Sequence, residues 1–322
     1  MDLILHHYDF SNYSEKARLA LRYKGLAWRS VTIPPTAPKP DLTSLTGGYR
    51  RTPVLQVGAD IYCDTSLILR ELERRFPTPT LYPAAHAAAA NMIAYWAENQ
   101  LFRPMSLYVS GSNLDVLPKN LQADRSQMRG LPIPSDETVR RAAKRNAPNV
   151  RVQIRWIEDL LSDGRDWIAG PAVTVADLAV YHALWFLTAR TDRLGFELDG
   201  LPRIEEWRAR VQAFGNGAAT EMSPSEALDV AAASQPADPL LSDRFDEDPP
   251  LGSEVRVRAA DYGRDPVEGE LVQLDGERMA VSREDLTVGS VVVHFPRLGY
   301  DLRMRGGNFK RHFVTPLLQP LD

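Results

Sequence analysis

Phe10-Ser11-Asn12-Tyr13-Ser14-Glu15-Lys16-Ala17-Arg18-Leu19 is the stretch on which the reading of this chain turns. Asn12 with Glu15 three residues on has the spacing of a capping box, in which an Asx acceptor and a returning carboxylate satisfy the free N–H groups of a first helical turn. Ala17, Leu19, Ala20, Leu21 and Tyr23 continue the helix, and Gly25 is a natural stop. Just upstream, Leu3-Ile4-Leu5 is an apolar run of the length of a buried strand. The pattern is a strand that turns at once into a capped helix, and the helix brings partial positive charge to that turn.

Working outward, Trp28 to Ile33 reads as a second strand, closed by Pro34-Pro35. A polar loop with Pro38 and Pro40 follows. Pro53-Val54-Leu55-Gln56-Val57 is a third strand, and Gly58-Ala59-Asp60 turns into Ile61-Tyr62-Cys63. Ser66 to Phe76 is an amphipathic helix, with Leu67, Ile68, Leu72 and Phe76 separated by charged residues. Residues 1–83 therefore predict a small α/β domain. Residues 84–234 carry helical signals, with long helices over Ala87–Val109 and Val139–Leu161. Between them, Asn113 to Ser135 reads as a polar loop; its length marks it as functional or mobile. Thr174-Val175-Ala176-Asp177 is a second capping box, with Val173 and Leu178 as its hydrophobic staple. Residues 235–251, rich in Pro and acidic side chains, read as a linker. Beyond them, over residues 252–322, the period changes to two. Val267–Leu274 and Met279–Ser282 flank Asp275-Gly276 as a hairpin, and Ser290–Phe295 and Tyr300–Met304 add strands. The expectation is a separate small β domain.

Composition narrows the function. Among 322 residues, 38 Lys and Arg stand against 42 Asp and Glu, a net charge of −4. That balance argues against a nucleic-acid binder, which needs a basic surface to displace phosphate counterions. No segment reads as a membrane span or a signal peptide, so a soluble cytoplasmic protein is expected, with no membrane partner. Cys63 is the single cysteine, which excludes an internal disulfide and a cysteine zinc site. The six histidines are scattered, so no metal is expected.

Four motifs, in order and correctly spaced, resemble the glutathione S-transferase superfamily over roughly the first 230 residues. Phe10 to Leu19 is similar to the strand-to-helix turn of the omega, tau and zeta classes, in which a Ser or Cys opens the first helix. Thr52-Pro53-Val54-Leu55 is similar to the family's cis-proline segment. Asp64-Thr65 stands where the family usually has Glu-Ser. Trp167-Ile168-Ala169-Gly170 with Thr174 to Ala179 is similar to the helix-capping motif of its all-helical domain. The resemblance implies a thioredoxin-like N-terminal domain and a helical second domain, to which this chain adds a β domain. It implies glutathione as co-substrate and a homodimer.

The implied reaction is attack of glutathione thiolate on a small apolar electrophile. A free thiol is mostly protonated at neutral pH. A hydrogen bond from the Ser11 hydroxyl and the adjacent helix N-terminus both favour the anion, and one unit of pKa requires about 1.4 kcal/mol. Ser11 is thus the candidate catalytic residue, with Tyr8 and Tyr13 as further hydroxyls nearby. Serine in place of cysteine argues against disulfide exchange. For glutathione itself, the resemblance implies Thr52 for pairing with the cysteinyl backbone. It implies Thr65 and its helix amides for the γ-glutamyl carboxylate and Asp64 for the ammonium group, with a shorter arm than the usual Glu. Lys39, Arg50 or Arg51 is expected to take the glycine carboxylate. Gly47-Gly48-Tyr49 departs from the family's Asn-Pro turn. Trp96 and Arg103, at helical spacing, are candidates for the second-substrate pocket. Two other readings remain open: a non-catalytic interaction module of the same fold, and a specialised glutathione-dependent ether-cleaving or dehalogenating enzyme.

Overall fold

Strand residues of the N-terminal domain alternate between two cores. Leu3, Leu5, Leu55, Val57 and Tyr62 join one buried cluster, and Ile4, Val54, Ile61 and Cys63 join the other. Period-two burial of this kind requires a sheet covered on both faces. The protein is described from a computed structural model covering residues 2–215, 217–240 and 245–306. The elements of the first domain are β1 (Ile4–His7), α1 (Asn12–Tyr23), β2 (Ala27–Thr32), α2 (Pro40–Thr46), β3 (Val54–Val57), β4 (Asp60–Cys63) and α3 (Thr65–Arg75). β1 pairs in parallel with β2 and antiparallel with β3, which pairs antiparallel with β4. This is the thioredoxin-like arrangement expected from the sequence. α1 and α3 pack on one face and α2 on the other.

The helical domain contains α4 (Ala87–Trp96), α5 (Phe102–Ser112), α6 (Lys119–Arg129), α7 (Asp136–Leu161), α8 (Val175–Trp185) and α9 (Pro202–Gln212). A π-helical turn at Ala97–Leu101 joins α4 to α5. The second capping box is present and extends further than the sequence shows. Asp177 accepts from the N–H of Thr174 at 2.8 Å, the N–H of Ile168 at 2.8 Å and the indole of Trp207 at 2.9 Å. One buried carboxylate thereby ties α8, α9 and the segment before α8 together.

Three expectations change. Asn12 is not the cap of α1. Ser11 caps it, and its Oγ accepts from the N–H of Ser14 at 3.2 Å. Asn12 instead reaches α8, while Glu15 pairs with Arg18 and Arg22. The segment 113–135 is not all loop, because α6 occupies its middle. Residues 84–234 are not wholly helical either: β5 (Ala218–Glu221) adds a parallel strand beside β2, ahead of α10 (Pro224–Ala232).

The C-terminal strands are β6 (Glu254–Ala259), β7 (Val267–Leu274), β8 (Arg278–Asp285), β9 (Gly289–Pro296) and β10 (Tyr300–Met304). They do not stand apart from the first domain. β9 pairs in parallel with β4, which gives one sheet in the order β10-β6-β7-β8-β9-β4-β3-β1-β2-β5. The pattern change near residue 252 therefore marks an extension of the first sheet. At the junction the His294 ring stacks on Tyr62 at 4.4 Å, and its Nε2 lies 2.8 Å from Asp60 Oδ1. The N–H of Ala237, in the expected linker, donates to Asp60 Oδ2 at 2.9 Å. Linker residues 241–244 and the chain after residue 306 lie outside the described residues.

Gly47 has its reason in this extension. Gly47 ends α2 with φ 70°, a conformation that costs a side-chain-bearing residue energy. A Cβ there would lie 2.9 Å from Arg283 Nε and 3.1 Å from Val267 Cγ1. Arg283 in turn donates to the carbonyl of Ser44. The turn is glycine because β7 and β8 press against it.

Candidate active site

Ser11 is 5% exposed, and its N–H donates to the Tyr8 carbonyl at 3.2 Å. Its Oγ accepts the capping hydrogen bond, so its own hydrogen is free for another acceptor. The orientation of α1 is fixed from behind. The Asn12 amide donates to His182 Nδ1 at 2.9 Å, and the buried Lys16 ammonium pairs with Glu98 on the π-helical turn. Burial, and then Lys16, hold His182 well below its ordinary range, so it is neutral. Tyr13 packs its ring at 5.3 Å from Phe102 and 5.0 Å from His182. Burial first, and then Glu98, push its phenol up. Tyr13 is a packing residue in this geometry.

A cleft of about 520 Å³ is lined by Lys39, Gly47, Tyr49, Arg50, Asp124 and Asp265 among others. Lys39 Nζ donates to Thr52 Oγ1 at 2.9 Å and lies 6.0 Å from the centre of the Tyr8 ring. Arg125 on α6 donates to the Tyr8 hydroxyl at 3.0 Å. Tyr8 therefore links the Ser11 turn to a cluster of cations. Arg50 donates to Asp124 Oδ1 at 2.5 Å, and Arg125 donates to Asp124 Oδ2 at 2.6 Å. Asp124 thus serves both guanidiniums, and Asp265 lies 3.8 Å from Arg50 as a second, more distant carboxylate. Among the described residues, Lys39 has no carboxylate within ion-pair distance. Its ammonium is lowered to about 8 by burial, then by Arg125, with Asp124 opposing and Arg50 adding a smaller push. A cation held this way is stabilised by an incoming anion.

Asp64 caps α3 in a left-handed backbone conformation, φ 78°, which for a residue other than glycine is strained and is found at functional sites. Its Oδ1 accepts from the Ser66 N–H at 2.9 Å and the Ser66 hydroxyl at 2.7 Å. Its Oδ2 accepts from the Tyr300 hydroxyl at 3.1 Å, and that hydroxyl lies 2.9 Å from the hydroxyl of Tyr49. Burial, followed by the Asp64 charge, pushes both phenols up, so both stay protonated. Thr65 opens α3 and is buried. The Thr52–Pro53 peptide is cis, as the resemblance implies.

The structure brings Lys39, Arg50 and Thr52 together, with Ser11 linked to them through Tyr8, and sets Asp64 and Thr65 at the start of α3. It does not bring Arg51 to the Lys39 cleft. Arg51 donates to the Tyr262 carbonyl and to Asp261, and its guanidinium lies 4.3 Å from the Tyr262 ring and 5.8 Å from that of Tyr300. Trp96 packs against the main core, and Arg103 is exposed on α5. Sequence reasoning missed Asp124 and Arg125, for which the unusual length of the segment 113–135 was the available signal. It also missed Tyr262, Asp265 and Tyr300, for which alternating strand residues gave none.

The N-terminal domain family of glutathione S-transferases matches residues 5–80, and the C-terminal domain family matches residues 145–210. Human glutathione S-transferase theta-2 is 29% identical over 168 residues, an alignment covering 51% of this chain and 61% of the human protein. A GST-like protein from Pseudomonas syringae, known as a crystal structure, is 40% identical, covers 94% of this chain and 99% of its own, and superposes with a TM-score of 0.74. A glutathione S-transferase from Rhodospirillum rubrum shares the fold over 66% of this chain and 88% of its own, at 23% identity and a TM-score of 0.51. The match to the Pseudomonas protein extends over the added strands as well as the two shared domains. The chain belongs to the glutathione S-transferase superfamily.

Proposed function

We propose that the protein is a glutathione transferase in which the thiolate of glutathione attacks a small electrophile. The observation that carries this reading is the Lys39 ammonium, which lines the cleft, donates to Thr52 Oγ1 and, among the described residues, has no carboxylate partner. Lys39, with Arg50 beside it, takes the glycine carboxylate; Arg51 is occupied by the loop between β6 and β7. Thr52 pairs with the cysteinyl backbone. Thr65 and the amides of the first turn of α3 take the γ-glutamyl carboxylate, because a helix N-terminus favours an anion. Asp64 takes the ammonium group, held in place by Tyr300 and Ser66. These contacts set the sulfur at the start of α1, where Ser11 donates to it. Orientation of the two reactants supplies the rest of the rate. The rings of Phe102 and Phe186 offer an apolar wall to the electrophile's body. Phe102 and Phe186 lie 5.3 Å apart.

The same reading makes the protein a cytoplasmic homodimer, as is general in the family. Among the described residues no helix is long and apolar enough to cross a membrane. Sedimentation in solution tests the dimer. The function is tested by calorimetry with glutathione, followed by turnover of a chloronitroaromatic acceptor. The account expects saturable binding and a conjugate product. No affinity for glutathione would return the fold to a non-catalytic interaction role. Turnover confined to aryl ethers or haloalkanes would instead favour the ether-cleaving or dehalogenating reading.

A further inference from the structure

The mouth of the site is more basic than an apolar electrophile requires. The Arg190 guanidinium lies 4.1 Å from the ring centre of Phe10, the residue before Ser11. The Phe10 ring lies 4.7 Å from that of Tyr8, tilted by 49°, and the Tyr8 hydroxyl meets Arg125. One helical turn on, Arg129 donates to the Arg125 carbonyl at 3.2 Å and sits 5.9 Å from the Tyr262 ring. Arg103 stands exposed on α5, near enough for its charge to act on Arg129. Among the described residues, Arg103, Arg129 and Arg190 make no ion pair with a carboxylate. Arg125 shares Asp124 with Arg50. Desolvation lowers Arg129, Tyr262 opposes it, and the charges of Arg125 and Arg103 lower it further. Desolvation also lowers Arg190, with Tyr8 opposing and Arg125 adding to it. Like charges gathered with one shared counterion among them form a field that attracts an anion.

We propose that Arg103, Arg125, Arg129 and Arg190 form an anion subsite for the second substrate, so that the preferred electrophile carries a carboxylate group away from its reacting carbon. This rests on the transferase reading above and narrows its substrate class. In the reaction the glutathione sulfur forms the C–S bond. The carbon–halogen bond breaks, and the halide leaves with its electron pair. The thiol proton has already passed to solvent, and the substrate's carboxylate stays ionised on the arginines throughout.

The test compares 4-chloro-3-nitrobenzoate with its methyl ester, each kcat/KM divided by the uncatalysed rate with free glutathione. The acid is expected to exceed the ester by about tenfold, the factor equivalent to about 1.4 kcal/mol. Added salt should shrink that advantage, since the arginines lie at a solvent-accessible mouth. Arg190→Gln and Arg129→Gln should each lower the acid-to-ester ratio, while Arg190→Lys retains part of it. Unchanged thermal unfolding of the variants confirms that the ratio reports on binding. Equal normalised values for acid and ester, or a ratio that neither variant changes, overturns the proposal while leaving the transferase reading intact. Absence of glutathione binding together with no turnover of either compound overturns both.

Discussion

Replacing Lys39 with methionine is predicted to remove a pH-dependent part of the protein's stability. The Lys39 ammonium falls from 10.5 to about 8 on folding. A shift of that size corresponds to about 3 kcal/mol if fully desolvated. Lys39 is only half-buried, and solvent screening reduces the figure to about 1–2 kcal/mol. The sign follows from linkage. Between pH 8 and 10.5 the unfolded chain holds a proton on this lysine that the folded chain has lost, so stability rises with pH across that window. Below pH 8 both states are charged and the full cost of burying the ammonium is present. Urea unfolding of wild type and Lys39→Met at neutral pH and near pH 10 measures the effect. Other groups titrating there cancel in the difference between the two proteins. The wild type should gain about 1–2 kcal/mol relative to the variant as pH rises. At neutral pH, saturating glutathione should stabilise the wild type and have much less effect on the variant. A difference that is flat with pH, or that runs the other way, would show that Lys39 is not held in the folded state against its own charge.

Further outcomes follow from the same geometry. Tyr300→Phe removes the hydroxyl that holds Asp64, and steady-state kinetics should show KM for glutathione rising about 2–10-fold with kcat retained. A parallel loss of kcat would place Tyr300 elsewhere in the reaction. Asp177→Ala strips partners from two backbone N–H groups and the Trp207 indole, and denaturant unfolding should report a loss of about 3 kcal/mol or more. Gly47→Ala meets both a left-handed backbone and Arg283, and should cost about 1–2 kcal/mol. Adding Arg283→Ala should recover part of the steric cost and none of the backbone cost, because Val267 stays in place.

The first domain was legible because its signals are local. Apolar runs alternate with turn residues, and Thr174 to Asp177 announces its own cap. The cap of α1 was displaced by one residue because Ser11 and Asn12 both have capping chemistry. The choice between them is made by His182, 170 residues away, which takes the Asn12 amide. The same limit hid α6. Its sequence is polar, and what fixes it is tertiary: Asp124 accepts from Arg50 and from the N–H of Ala37, while Met128 accepts from the N–H of Gly263. The extension of the sheet was unreadable for a related reason. Alternating strands declare a sheet but not which edge it joins, and the pairing of β9 with β4 is specified by His294 and Asp60 across 234 residues. Tyr262 and Tyr300 consequently gave no sign that they reach Arg51 and Asp64.

The central claim is that one hydroxyl at the start of α1 keeps a bound thiol ionised. Ultraviolet thiolate absorbance of the glutathione complex, titrated against pH in wild type and Ser11→Ala, tests it most directly. The account predicts a bound-thiol pKa at least about one unit below that of free glutathione in the wild type, returning most of the way in the variant. Superimposable titrations of the two proteins would contradict it.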